Sequence, residues 1–124
     1  MTQATILVVE DEPNIVESLR FILGRAGFAV EVASDGADAL RIMRARSFAA
    51  VILDIMLPGL NGFDVLKAVR SDESLAGLPV IVLTAKGQVK DRQNAEEIAA
   101  SAFITKPFSN AEVVDRVREL AGVR

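Results

Sequence analysis

Four polar residues stand where four apolar runs end: Asp11 after ILVVE, Asp54 after AAVIL, Thr84 after VIVL and Lys106 after AFIT. If those runs are neighbouring parallel strands, their carboxyl ends converge on one sheet edge, where open α/β folds bind ligands. Glu10, Asp11 and Asp54 would then crowd three carboxylates into one cleft, which is costly unless a cation or a proton intervenes. In a chain with neither His nor Cys, oxygen donors of this kind select Mg2+ or Mn2+ over zinc. An aspartate can also act as a nucleophile and form an aspartyl phosphate, chemistry that asks mainly for positioning and for neutralising the charge on the equatorial phosphoryl oxygens. The cation would cover one oxygen, the Lys106 ammonium a second, and the Thr84 hydroxyl with nearby backbone N–H groups a third. The small Ala85 would leave the pocket mouth open.

Residues so placed need strands and crossovers to carry them. Apolar runs of strand length alternate with helix-period segments, the pattern of βαβ units and a parallel sheet. The strands are predicted at Thr5 to Val9, Ala29 to Ala33, Ala49 to Leu53, Val80 to Leu83 and Ala102 to Thr105. ILVV, VIL and VIVL are apolar on consecutive residues, as strands covered on both faces should be, whereas FAVEVA alternates and looks like an edge. Ile15, Leu19, Ile22, Leu23 and Ala26 mark a first helix that Gly27 would end, with Gly24 a mild fault inside it. Leu40 and Met43 mark a second, and Phe63, Leu66 and Val69 a third. Ser109 and Glu112 form a capping box for a last helix carrying Val113, Val114, Val117, Leu120 and Ala121. A helix within Val89 to Ala99 has only Ala95, Ile98 and Ala99 to bury, so it is expected to shift at low cost. Right-handed crossovers put helices on both faces, and two strand orders are common. In the order 2-1-3-4-5 the first and third strands are neighbours, and Asp11 and Asp54 lie side by side.

Composition narrows the function. With 124 residues and no linker or repeat, residues 1–124 are expected to form a single domain. The absence of Cys rules out a disulfide framework, and the absence of His removes the usual phosphorus-carrying imidazole, so a phosphohistidine donor would have to be a separate protein. A net charge of -3 gives no overall pull toward nucleic acid or anionic lipid. No apolar run approaches the roughly 20 residues of a membrane helix, and the first residues lack a basic region before their short apolar stretch. A cytoplasmic protein with protein partners is expected.

Over nearly its whole length the chain resembles the receiver domain of two-component response regulators. The resemblance rests on ILVVEDE at 6–12, LDIMLPGLNG at 53–62, LTAKG at 83–87 and FITKPF at 103–108, in order and with the family's spacing. It implies a flavodoxin-like doubly wound sheet of five parallel strands in the order 2-1-3-4-5. It also implies that Asp54 is the phosphoacceptor, that Asp11 and the Met56 backbone carbonyl ligate Mg2+, and that Glu10 helps through water. Lys106 would contact the phosphoryl group, with the Lys106–Pro107 peptide bond cis, while Thr84 and Phe103 match the paired switch positions. The donor would be a sensor histidine kinase or a histidine phosphotransfer protein. Such a chain promotes its own phosphorylation and hydrolysis and is otherwise no enzyme. Its output is a changed surface, formed by the helix at 89–99, the last strand and the last helix, that controls an unknown downstream protein; direct nucleic-acid or membrane binding is not expected. Glu10 stands where many relatives have Asp. Ala99, Ser101 and Ala102 depart from a common Gly and two frequent acids on the dimer face of the transcription-factor branch, which weakens a phosphorylation-dependent homodimer without removing it.

Taken one at a time, these residues have plainer roles. An acid at a strand end often caps a helix or faces water, and a lone Lys often snorkels over apolar surface. Phe103 and Met56 would be core, and Pro58, Gly59 and Gly62 a turn. Their joint placement favours chemistry. An aspartate-nucleophile phosphatase would want a second acid two residues after Asp54, where Met56 stands. A flavodoxin-like cofactor binder would want a small, hydroxyl-rich loop where EDEPN would repel phosphate.

Overall fold

Consecutive apolar residues form strands here because both faces of the sheet are covered. The computed structural model describes residues 3–57, 61–85, 93–94 and 98–122. The elements run β1 (Thr5–Val9), α1 (Pro13–Arg25), β2 (Ala29–Ala33), α2 (Gly36–Ala45), β3 (Ala50–Asp54), α3 (Gly62–Ser71), β4 (Val80–Ala85), β5 (Ala102–Lys106) and α4 (Asn110–Ala121). The five strands are parallel in the order β2-β1-β3-β4-β5. Strand β3 starts one residue later than expected, and β3, β4 and β5 extend far enough to include Asp54, Thr84 and Lys106. The helix expected within 89–99 falls largely outside the described residues.

Alternation along each strand splits the core in two. Leu7, Val9, Val51 and Leu53 face α2 and α3, while Ile6, Val8, Ala50 and Ile52 face α1 and α4. The alternating strand β2 lies at an edge and only Ala33 within it is buried, as expected of FAVEVA. Buried on α1 are Leu19, Ile22 and Leu23, and Gly27 follows the helix with φ +98°, in the left-handed region that only glycine enters freely. On α3 the buried face is Val65, Leu66 and Val69; Phe63 is only partly buried, so the expected stripe lies slightly rotated. Ser109 caps α4, its Oγ accepting the Glu112 N–H at 3.1 Å. That is half of the expected box, since no bond from the Glu112 carboxylate to Ser109 forms among the described residues. No described helix is long and apolar enough to cross a membrane.

Candidate functional site

The register of the sheet brings the site together. β1 and β4 flank β3 on either side, so residues past Val9, at Asp54 and at Thr84 end on one edge. β5 pairs outside β4, with Thr84 opposite Thr105 and Ala85 opposite Lys106. Asp54 closes a strand in which every residue is buried, and is itself only 3% exposed. Glu10 is 1% and Thr84 4% exposed, while Asp11 faces solvent.

Two nearly buried carboxylates are tolerable only because each oxygen has a donor. The Lys106 ammonium bridges them, donating to Glu10 Oε1 at 3.1 Å and to Asp54 Oδ2 at 3.0 Å. The Met56 N–H donates to Asp54 Oδ1 at 2.9 Å. Glu10 Oε2 accepts the N–H groups of Asp11 and Glu12 at 3.0 and 3.2 Å. Even so, burial pushes the Glu10 carboxyl up to about 7, reinforced by the neighbouring Asp54 carboxyl and opposed by the Glu12 N–H and the Lys106 ammonium. Burial works against the charge on Lys106, but its hydrogen bond to Asp54 and the charges of both carboxylates outweigh this and raise its pKa.

The donor set of the cleft fits a cation. Glu10, Asp11 and Asp54 each offer one carboxylate oxygen, all within 4.8 Å of one another. Three oxygen donors that close, one of them solvent-facing, suit a hard ion that keeps part of its water. Asp11 is not tied up as a helix cap: the N-cap of α1 is Glu12, without a side-chain cap bond, and Pro13 supplies the first turn.

The other predicted residues fall around this cleft with some corrections. The Lys106–Pro107 peptide bond is cis. Phe103 pairs with Val82 in the ladder and packs, partly buried, against the α2–α3 side of the core. Ala85 takes part in the β4–β5 ladder. Met56 is not core: its side chain is 70% exposed between the buried Ile55 and Leu57, where the chain bends after β3, and it serves Asp54 through its N–H. Gly62 does more than make a turn, whereas Pro58 and Gly59 lie outside the described residues. A Cβ on Gly62 would meet Asp54 O and Ile55 Cα at 2.6 Å each, so α3 can start against the backbone of Asp54 only with hydrogen there. The sequence hides that contact, since a glycine before a helix reads as a loop residue. Asn61 caps α3 through the Asp64 N–H at 3.0 Å, and its type and spacing were a usable signal.

Comparison with known proteins fits this geometry. Residues 6–118 match the response regulator receiver domain. The transcriptional regulatory protein DltR of Streptococcus agalactiae is 44% identical over 115 residues, covering 91% of this chain and 50% of DltR. The chain thus spans about half the length of the curated relatives it matches. A response regulator structure from Chloroflexus aurantiacus superposes with a TM-score of 0.94 at 32% identity, over 98% of this chain and 99% of that one. The receiver domain of a sensor histidine kinase from Pseudomonas aeruginosa, with magnesium coordinated in its active site cleft, gives a TM-score of 0.90 at 29% identity, over 98% and 99% of the two chains. By fold, by the match over nearly all its length and by these relatives, the chain belongs to the response regulator receiver domain family.

Proposed function

We propose that residues 1–124 form a single receiver domain, and that Asp54 is its phosphoacceptor. The observation carrying this is a carboxylate at the end of the central strand, 3% exposed, held by the Lys106 ammonium and the Met56 N–H beside two further acids within ligand reach. A sensor histidine kinase or a histidine phosphotransfer protein supplies the group. The donor's P–N bond breaks with its electron pair left on the imidazole, and an Asp54 oxygen supplies the pair for the new O–P bond. The Met56 N–H and the Lys106 ammonium, both already aimed at the Asp54 oxygens, orient the nucleophile and offset charge as the bond forms. Glu10, Asp11, Asp54 and the Met56 carbonyl would hold Mg2+ or Mn2+. When bound, the cation neutralises charge on the transferred phosphoryl group.

The phosphorylated state engages Lys106 and the Thr84 hydroxyl, with Ala85 at the mouth of the pocket. Thr84 passes the change to Phe103 and so to the surface of β5, α4 and the segment before them. That surface controls a downstream protein or a phosphorylation-dependent homodimer; the domain itself does not read nucleic acid, and it works in the cytoplasm. Support comes from the buried Thr84 on β4 and from Phe103 on the paired strand. Acetyl phosphate with Mg2+ should add the mass of one phosphoryl group, lost in Asp54→Ala and on removal of metal. A folded wild-type protein that gains no mass from acetyl phosphate or from phosphorylated donors would end this reading.

A further inference from the structure

Away from the cleft, a single guanidinium ties two approaches to the sheet together. Arg70, half-buried near the end of α3, donates from Nε to the Ala99 carbonyl at 2.9 Å. One of its Nη atoms reaches the carbonyls of Ala76 and Leu78 at 3.0 and 2.7 Å, and the other reaches Ser101 Oγ at 3.3 Å. Ser101 in turn closes the sheet: its Oγ accepts the Val80 N–H at 3.0 Å and its N–H donates to the Val80 carbonyl at 2.8 Å. The next pair, Ile81 and Ala102, opens the β4–β5 ladder. Ala99, at φ +65°, is the one non-glycine residue with positive φ among those described. A residue bearing a Cβ keeps that conformation only where its surroundings over-determine it, and here the Arg70 Nε–H holds its carbonyl.

We propose that Arg70 is a positioning residue for the switch, holding Ala99 in its left-handed turn and thereby fixing the start of β5 and the resting place of Phe103. The proposal rests on the reading of Asp54 as acceptor and Phe103 as reporter. Linkage then gives it a sign. A clamp that favours the resting arrangement weakens, by the same factor, any phosphoryl group that favours the other. Loss of the clamp should therefore tighten the binding of a phosphoryl mimic, although it removes contacts from the fold.

The test titrates beryllofluoride with Mg2+ into the wild-type chain, Arg70→Met, Arg70→Lys and Ala99→Gly. Arg70→Met keeps the apolar stem and loses the fork; its apparent affinity should rise by about five- to tenfold. Exchange of the Ser101 amide proton should quicken by about tenfold or more. Arg70→Lys should change affinity in the same direction if the methionine variant does not fold. Ala99→Gly, which relieves the turn and leaves the fork in place, should weaken binding below wild type. Unchanged affinity in the arginine variants, with a lowered unfolding midpoint, would make Arg70 a mere brace and overturn the proposal, as would tighter binding in Ala99→Gly. A wild-type chain that binds no beryllofluoride would remove the Asp54 reading and this proposal with it, whereas wild-type binding with indifferent variants removes this proposal alone.

Discussion

Glu10 is a buried acid whose carboxyl sits up at about 7, against 4.5 for the free side chain, chiefly because of burial and then of the neighbouring Asp54. Folded protein therefore keeps a proton that the unfolded chain releases between these two values. The stability this contributes is whole below pH 4.5 and is lost as pH rises through about 7. In metal-free buffer, the difference in unfolding free energy between the wild type and Glu10→Gln should change by up to about 3 kcal/mol over that window; denaturant melts at several pH values would read it, and parallel profiles would contradict it. Lys106 supports a second prediction. Its loss in Lys106→Met leaves Glu10 and Asp54 without their shared cation, costing about 2 kcal/mol in the absence of metal. Millimolar Mg2+ should return most of that, so thermal melts with and without the ion should differ more in the variant than in the wild type. The candidate acids and Lys106 were legible in the sequence because each follows an apolar run. The bridge from Lys106 to Glu10 was not, because residues so far apart in sequence meet only through the strand order.

At the level of elements, two glycines within helices, Gly24 in α1 and Gly62 at the start of α3, behave in opposite ways. A Cβ on Gly24 in α1 meets nothing within 4 Å, so Gly24→Ala should stabilise the protein by up to about 1 kcal/mol. A Cβ on Gly62 meets the backbone of Asp54 and Ile55, which cannot turn aside as a side chain can. Gly62→Ala should destabilise by about 1 to 3 kcal/mol and move Asp54, lowering its phosphorylation rate as well. Equal and mild effects in both variants, read by denaturant unfolding, would contradict the close approach. Strand cores and the caps at Gly27 and Ser109 follow from local patterning, so the sequence displays them. The rotated face of α3 does not, because Val65 is chosen by what lies beneath it, and the left-handed turn at Ala99 depends on a partner 29 residues away.

Across the whole molecule, the sheet separates two cores that share no side chains. Leu19 belongs to the α1–α4 side and Leu66 to the α2–α3 side. Leu19→Ala and Leu66→Ala should each cost about 2 to 5 kcal/mol. Their effects should add within about 0.5 kcal/mol, since no neighbour is shared. A milder pair on separate helices, Ile22→Val with Val65→Ala, tests the same separation should the double alanine variant not fold. Fold class was readable from the alternation of runs, whereas the strand order came by way of resemblance, since two orders satisfy the same pattern. Asp54 ends the central strand with β1 on one side, β4 on the other and Gly62 pressed against its backbone. Asp54 is thus set in masonry that tolerates little revision, while Phe103 and Lys106 stand on an edge strand with a neighbouring strand on one side only. On the proposed reading, substitutions at that rim would alter partners and output while leaving Asp54 where it stands.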